Sequence, residues 1–420
     1  MPHKEELIVR NIVLNKISEN MAVRVVLFLM CFTLAAPVFN ALNSIVTALA
    51  ALAAIYLVYR HRTLGLREVP LSLYSAMAVF FVAIAAASVA IGDAKSISYS
   101  VRTLYWFIPF FLLFILDWAG GENGFEDNSV TVFYAYGLAL FVSSAATVHQ
   151  FWTANVPRLT GIYGHPNHYA SMLDIILPVC TVLLLKYFLE KRDWLLVVLL
   201  LMNVLLGYAT LIRTASRGAI CGIVVGLILT LILYAIKTRA KKILLVALVI
   251  ALGCAPVYYL NASFFERNHT AQIETILPYD KGRVAFLEAS YHMWEDHKVF
   301  GVGLANWHEN YKYKYLPEGA PDKFDMPHNM YAYYFSTAGT LGGVGFLLFI
   351  LAFFFCFYKN MLPFARGGYL PFAMMWAFLA FCLHGAFDIG ITNKLVARLF
   401  FATSGLLVCE SVKLKHREHR

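Results

Sequence analysis

Candidates for a base and for an anion-binding group lie in a long polar segment, residues 261–336, which interrupts a series of apolar runs. Arg283 follows a glycine in this segment, and His328 lies between Pro327 and Asn329 near its end. A neutral imidazole can accept a proton, and a guanidinium can bind phosphate oxygens at two points. The segment therefore contains a candidate base and a candidate anion-binding cation.

Short sequences beside these residues predict where helices begin. Pro327 suits a first helical turn, so we expect His328 near a helix N-terminus, where the dipole disfavours the charged imidazole. Asp280 is expected to cap a helix that begins near Arg283. A cation in a first turn is unfavourable, which suggests a nearby anion. The apolar stripe of that helix is predicted to be Val284, Leu287, Tyr291 and Trp294.

A tight turn between two apolar runs, RTASRG at 213–218, carries two further arginines. If the turn stays helical, Arg213 and Arg217 are one turn apart and share a face. Adjacent guanidinium groups repel unless an anion lies between them, and Ser216 and Gly218 permit close approach of a ligand. The alternative is that both arginines reach lipid phosphates and anchor the hairpin.

The loop of residues 156–169 is rich in glycine, proline and polar side chains, which cannot continue a helix. The functional interpretation places Arg158 beside the same outer cavity as the two arginines of the turn. The alternative is a capping turn in which Asn167 or His168 begins the next helix.

One carboxylate, Asp388, closes an apolar run beside His384. A carboxylate at that depth is costly unless it is paired. We therefore expect Asp388 to orient one of the arginines or His328.

Metal ligation is not indicated. His165 and His168 lie close together in sequence, but their spacing fits no standard zinc site. The seven cysteines all lie inside apolar runs, and their spacing suggests neither disulfides nor metal binding. Because no acidic pair in the outer loops has the spacing of a magnesium site, we expect chemistry without a metal or another cofactor.

Composition and the lengths of the apolar runs define the scaffold that must position these residues. The 420-residue chain is 60% hydrophobic and only 14% charged, whereas about 25% of residues are charged in globular proteins. Apolar runs of roughly 20 residues, enough to cross a bilayer, occur at 22–39, 41–59, 71–91, 101–118, 130–149, 169–189, 194–212, 217–236, 242–260, 337–358, 369–388 and 395–410. We therefore predict an all-α polytopic membrane protein with about twelve transmembrane helices.

The runs divide the chain into an N-terminal transmembrane bundle of spans 1–9 (1–260), a partly helical outer loop with the candidate site residues (261–336), and spans 10–12 (337–420). Twenty lysines and arginines lie on the side of the termini, against seven in the short loops opposite. Positive charge favours the cytoplasmic side, which places both termini inside and the long loop outside. The net charge of +9 is thus mainly a topology signal, and nothing in it indicates nucleic acid. The polar N-terminal segment is expected to remain uncleaved.

Four motifs together resemble a known family. They are RLTGIYGHPNH at 158–168, RTASRG at 213–218, GRVAFLEASYHMW followed by FGVGLANW within 282–307, and PHNMYAYYFSTAGTLGGVGF at 327–346. In this order, on the predicted outer side, they are similar to the bacterial O-antigen ligase and polymerase superfamily. Its members are membrane glycosyltransferases with one large periplasmic loop. The ligases that join polysaccharide to lipid A–core are the most similar.

The resemblance implies roles for individual residues. The family's essential arginine, loop arginine and loop histidine match Arg217, Arg283 and His328, and its late acidic residue falls on Asp388. The family also has a loop that begins with an arginine and contains a Pro-Asn pair. The loop that begins at Arg158 matches this pattern, although here His165 precedes the proline. The residues that would then bind the substrate diphosphate are Arg158, Arg213, Arg217 and Arg283, and those that would support the site are Asp388, Asn329 and Ser216. His328 would take the acceptor proton, or alternatively donate to the phosphate as a cation.

The implied reaction is a metal-independent, inverting glycosyl transfer at the bacterial inner membrane, in lipopolysaccharide biosynthesis. The donor would be an undecaprenyl-diphosphate-linked glycan and the acceptor lipid A–core, in contact with membrane lipids. An O-antigen polymerase or a protein O-oligosaccharyltransferase of the same superfamily remains an alternative. The latter usually carries a further C-terminal periplasmic domain, whereas this sequence ends shortly after the last run.

Two other classes of membrane protein, transporters and purely structural proteins, fit the sequence less well. A transporter would place ionisable residues near the bilayer midplane and show related halves, whereas the candidates here crowd one interface. A purely structural membrane protein would not need the external arginine and histidine set. The sequence leaves the oligomeric state open.

Overall fold

The computed structural model describes residues 21–61, 65–121, 128–154, 156, 158–190, 194–250, 270–322 and 324–418. Within these ranges the chain consists of α-helices and short 3-10 turns, and no β-strand is present among the described residues. The predicted all-α membrane class is confirmed.

The helices are numbered in chain order. Those before the long polar segment are α1 (Met21–Ala35), α2 (Asn40–His61), α3 (Leu71–Ile91), α4 (Ala94–Gly121), α5 (Ser129–Thr153), α6 (Pro166–Leu189), α7 (Trp194–Arg213), α8 (Arg217–Thr238) and α9, described over 242–250. Those that follow are α10 (Thr270–Asp296), α11 (Trp307–Tyr313), α12 (Met330–Lys359), α13 (Tyr369–His384) and α14 (Lys394–Glu418).

Nine of the described helices are long and apolar enough to cross a bilayer, namely α2 to α8, α12 and α14. Helices α1 and α13 are apolar but shorter. The predicted span at 242–260 begins as α9, and its part beyond residue 250 lies outside the described residues. Each predicted apolar run therefore contains a helix wherever it is described. The chain is a multi-pass membrane protein.

Glycines let α8 pack directly on α13. A Cβ added at Gly222 would lie 2.5 Å from the Ala380 carbonyl oxygen, and one at Gly226 would lie 2.8 Å from the Ala380 nitrogen. Small residues spaced in this way allow close backbone approach between membrane helices, whose association is driven largely by packing. Since Gly218 continues the same face, the contact extends to the end of α8 that carries Arg217.

Helix α14 lies inside the bundle, with 94% of its most apolar stretch buried. At one end Lys413 forms ion pairs of 2.8 Å with both Asp117 of α4 and Glu410. Charges buried at this depth are tolerated because they are paired. The opposite end of α14 begins next to the loop that contains Asp388. We call the end of the bundle with this loop and the α5–α6 and α7–α8 connections the site end.

Helix α12 is interrupted at Gly339, whose φ of 65° and ψ of −166° are not helical. The loop after α10 docks on this break, and Thr340 N donates to Lys298 O at 2.7 Å. A Cβ at Gly339 would collide with the Val299 carbonyl group. The loop thus satisfies backbone groups that the break removes from the helix.

The prediction for α10 was wrong. The helix begins at Thr270, so Asp280 and Arg283 lie inside it and Asp280 does not cap its start. The argument from the dipole for an anion at Arg283 therefore does not hold. Three of the four predicted stripe residues are exposed and Trp294 is half-buried, whereas the buried face is formed by Ala285, Phe286, Ala289, Ser290 and Met293. Tertiary contacts select that face, since Trp307 of α11 donates from Nε1 to Ser290 Oγ at 3.0 Å.

The predicted helix starts and ends beside the site also need correction. Helix α12 begins at Met330 with Asn329 as its N-cap, so Pro327 and His328 precede the helix. The Asn329 side chain supplies the cap, which makes a proline in the first turn unnecessary. Helix α13 ends at His384, before Asp388 is reached.

The turn between α7 and α8 is not helical. Helix α7 ends at Arg213, Ala215 has a φ of 52°, and α8 begins at Arg217. Arg213 and Arg217 therefore lie on two different helices, and the predicted shared face was wrong. The left-handed residue reverses the chain so that α8 can return alongside α13.

Candidate active site

His328 is held between a carboxylate and two aromatic rings. Its φ of 50° lies in the left-handed region, which is uncommon for residues other than glycine and occurs at functional sites. Its Nδ1 lies 3.0 Å from Asp388 Oδ1, and the two side chains are 10% and 8% exposed. The rings of Phe286 and Phe324 lie 5.9 and 5.7 Å from the imidazole, centroid to centroid.

Asp388 remains ionised in this setting. Burial by itself would raise its pKa, but the hydrogen bond and charge of His328 hold the pKa of Asp388 below its usual range, aided by the Ile389 N–H at 2.8 Å. Because a carboxylate only accepts, His328 Nδ1 donates to it. In the neutral ring, Nε2 then carries the lone pair that can accept a proton. The pair is suited to general base catalysis.

The segment that carries Asp388 also holds the start of α12. We call residues 384–388 the α13 extension. Met330 N donates to Gly385 O at 2.8 Å, and Asn329 Nδ2 donates to Ala386 O at 3.0 Å. Asn329 Oδ1 accepts two backbone N–H groups in the first turn of α12. Asn329 therefore joins the base-bearing loop to the α13 extension.

Arg217 begins α8, directly after a buried hydrogen-bonded group that no sequence motif indicated. Ser216 Oγ lies 3.2 Å from His384 Nε2, and His384 Nδ1 lies 2.6 Å from Asp174 Oδ2. The His384 and Asp174 side chains are 2% and 0% exposed. We call this group the Asp174–His384–Ser216 network. A Cβ at Gly218 would lie 3.0 Å from His384 Cδ2, so a side chain at this position would crowd the imidazole.

The sequence did contain a signal for this network. Asp174 and His384 are ionisable residues inside apolar runs, and such residues are usually paired. They are separated by 210 positions, so their pairing could not be inferred from spacing. Ser216 was predicted to leave space for a ligand, but the structure gives it a structural hydrogen bond.

The other two arginines predicted to bind the diphosphate have well-defined contacts. The Arg213 guanidinium lies over the Phe151 ring of α5, 4.6 Å from its centroid. Arg158 Nε donates to Thr214 O at 2.8 Å, and its Nη2 donates to Asn167 Oδ1 at 2.6 Å. These contacts brace the α7–α8 turn against α6. A role for either arginine in diphosphate binding stays a prediction.

Arg283 approaches the same centre from α10. It is half-buried and lies close enough to His384 for their charges to interact. Phe286, one helical turn further on, packs on His328. The α13 extension thus has Arg217, Arg283 and His328 gathered around it from three different helices or loops.

Two more histidines lie beside this centre. Helix α6 begins at Pro166, and the rings of His165 and His168 lie 4.7 Å apart at its start. Both are within electrostatic range of Asp388 and His328. Burial lowers the pKa of His165, and the charges of Arg158 and His328 act in the same direction.

Among the residues that the structure describes, no group of three or more histidine, cysteine, aspartate and glutamate side chains is arranged to hold a metal ion. Metal independence stays a prediction. The arrangement that is present, a base paired with a carboxylate beside two arginines, can remove a proton and bind an anionic leaving group.

Comparison with known proteins bears on this centre. No curated protein matches the chain. Residues 202–350 match a family described as O-antigen ligase, and they include Arg213, Arg217, Arg283 and His328. Asp388 and the start of α6 lie outside the matched region and are joined to it by the contacts described above. Over these residues the chain is similar to the O-antigen ligase family.

Proposed function

We propose that the chain is an O-antigen ligase. It would transfer a glycan from undecaprenyl diphosphate to a sugar hydroxyl of lipid A–core, at the periplasmic face of the bacterial inner membrane. The observation that supports this most strongly is the His328–Asp388 pair, which lies beside Arg217 and Arg283 at the site end of a membrane bundle.

The proposed chemistry is a single displacement. The acceptor hydroxyl oxygen attacks the anomeric carbon of the donor while His328 Nε2 takes the hydroxyl proton. The bond between the anomeric carbon and the diphosphate oxygen breaks, and the electron pair leaves with the diphosphate. Attack opposite the leaving group inverts the anomeric configuration. Asp388 stabilises the imidazolium that forms and holds the ring in the required orientation.

The leaving diphosphate gains negative charge as the bond breaks. Arg217 and Arg283 can meet that charge through bidentate, charge-assisted hydrogen bonds. Donors that are already in place stabilise the transition state at little reorganisation cost. The Asp174–His384–Ser216 network fixes the residue before Arg217 and so anchors the start of the helix that carries this side chain.

The membrane contributes to the rate as well. Donor and acceptor are both lipid-linked, and in the proposed topology both lie in the outer leaflet of the inner membrane. Confinement to one leaflet and binding at one site replace a three-dimensional encounter by a local one.

Transfer by the purified chain in lipid nanodiscs tests the proposal. Undecaprenyl-diphosphate glycan is supplied with either lipid A–core or a second glycan lipid, and products are separated by mass. We expect glycan on lipid A–core with wild type and essentially none with His328→Ala. Elongation of the second glycan lipid instead would make the chain a polymerase, and transfer to neither acceptor would reject the assignment.

A further inference from the structure

The hydrogen-bonding state of His168 is determined by a helix cap. Asn393 precedes α14, and its Oδ1 accepts from Leu395 N at 3.0 Å and from Val396 N at 3.3 Å. The amide oxygen is thus committed to the cap. The Asn393 Nδ2 group is left facing His168 Nδ1, at 3.0 Å.

This contact assigns the His168 tautomer. An amide nitrogen only donates, so His168 Nδ1 must accept. The ring hydrogen then lies on Nε2. The imidazole is neutral, because a charged ring would point its own Nδ1–H directly at the amide N–H. His168 therefore presents a neutral Nε2–H donor.

That donor has no protein partner within the part of the chain that the structure describes. The ring is half-buried, and Nε2 is not sealed from solvent. It lies at the start of α6, within electrostatic range of both His328 and Asp388. A fixed donor beside the proposed base is thus available to a bound ligand.

We propose that His168 binds the acceptor sugar, by donating its Nε2–H to an oxygen next to the hydroxyl that His328 deprotonates. This inference rests on the proposed function. A neutral donor suits an uncharged sugar oxygen, whereas the diphosphate is matched by the guanidinium groups. A substrate molecule that contacts both imidazoles must be the one that loses its proton to His328. In the proposed reaction that molecule is the acceptor. His168 would then orient the attacking hydroxyl and contribute to acceptor specificity.

Two near-isosteric substitutions separate this role from a structural one. Glutamine places an amide N–H near the position of Nε2 and loses the Nδ1 acceptor. Asparagine keeps an acceptor for Asn393 and loses the Nε2 donor. His168→Ala removes both, and His149→Ala removes an exposed histidine of α5 as a matched control.

The measurement is KM for lipid A–core and KM for the donor, each at saturating partner. For His168→Ala and His168→Asn we expect the acceptor KM to rise about three- to tenfold, the effect of one neutral hydrogen bond, while the donor KM stays unchanged. His168→Gln should retain most acceptor affinity, and His149→Ala should behave as wild type.

Several results would overturn the inference. They are an unchanged acceptor KM in His168→Asn, an equal rise in the donor KM, or rescue by asparagine and not by glutamine. If wild type uses another acceptor, the series is measured with that acceptor, and the same outcomes apply. Failure of the assigned function therefore shows in wild type, and failure of the His168 role shows only in the variants.

Discussion

The protein contains two histidine–aspartate pairs with similar hydrogen bonds and different surroundings. In both, Nδ1 faces a carboxylate oxygen, at 3.0 Å for His328–Asp388 and 2.6 Å for His384–Asp174. The first pair is about one-tenth exposed, whereas the second is 2% and 0% exposed. The Nε2 of His384 lies against Ser216. The same two side chains therefore form a candidate base in one place and a structural clamp in the other.

The comparison teaches that the burial of the imidazole and the residues around it decide the role. A base needs a lone pair that a substrate can reach. A clamp needs both nitrogens engaged by protein groups, since unsatisfied polar atoms are costly inside a membrane bundle. Both pairs are connected through the α13 extension, so the clamp can position Arg217 while the other pair positions the base.

The largest effect is expected at the His328–Asp388 pair, the less buried of the two. We expect His328→Ala to lower kcat by about 10²- to 10⁴-fold, and to lower the melting temperature as well because Asp388 loses its partner. Wild-type activity should rise from acid to neutral pH, because a base acts in its neutral form, and that rise should be absent from the residual rate of the variant.

Asp388 is not expected to cause this rise. Its folded pKa is lowered, so its stabilising contribution is present above the unfolded value of about 3.9 and is lost only as the pH falls below it. A rise in rate between pH 5 and 8 that persists in His328→Ala would remove His328 from the chemistry.

A smaller loss is expected for Arg217→Lys, which keeps the charge and loses the planar fork. If Arg217 binds the leaving diphosphate at two points, kcat should fall on the order of a hundredfold or more. Arg102→Lys, an exposed arginine of α4, is the control and should be active. Wild-type rates in the Arg217 variant would reduce this residue to a lipid anchor.

The buried pair should respond mainly in stability. His384→Ala leaves Asp174 buried without its partner, which typically costs about 3–5 kcal/mol. Thermal unfolding in detergent should detect this loss. A His384→Ala protein that is as stable as wild type but inactive would contradict the clamp and place His384 in the chemistry.

The smallest effect is expected at Arg213, which stacks on Phe151 and is on a different helix from Arg217. Exposed cation–π contacts contribute about 0.5–1 kcal/mol. We expect Arg213→Gln to lower the melting temperature slightly and to leave kcat within a fewfold of wild type. A loss of kcat as large as that of Arg217→Lys would instead support a role for Arg213 in binding the diphosphate.

The candidate site was predicted in part. Arg217, Arg283, His328 and Asp388 were singled out from residue type, position beside apolar runs and motif resemblance. The local geometry was predicted less well: Pro327 was expected in the first turn of a helix, and Asp280 at the start of one. Such errors arise because helix ends depend on which side chain supplies the cap, and Asn329 supplies it here through contacts that also involve Ala386.

By itself, the sequence determined that the chain is a bundle of membrane helices. Apolar runs of bilayer length leave the backbone no partner except itself, so each run must be helical. Only the tertiary structure decided which polar groups meet, because His328 and Asp388 are separated by 60 positions and His384 and Asp174 by 210. No local pattern specifies contacts at that range. They follow from helix packing, in which the glycines of α8 bring it onto α13 and place the Arg217 turn beside the α13 extension.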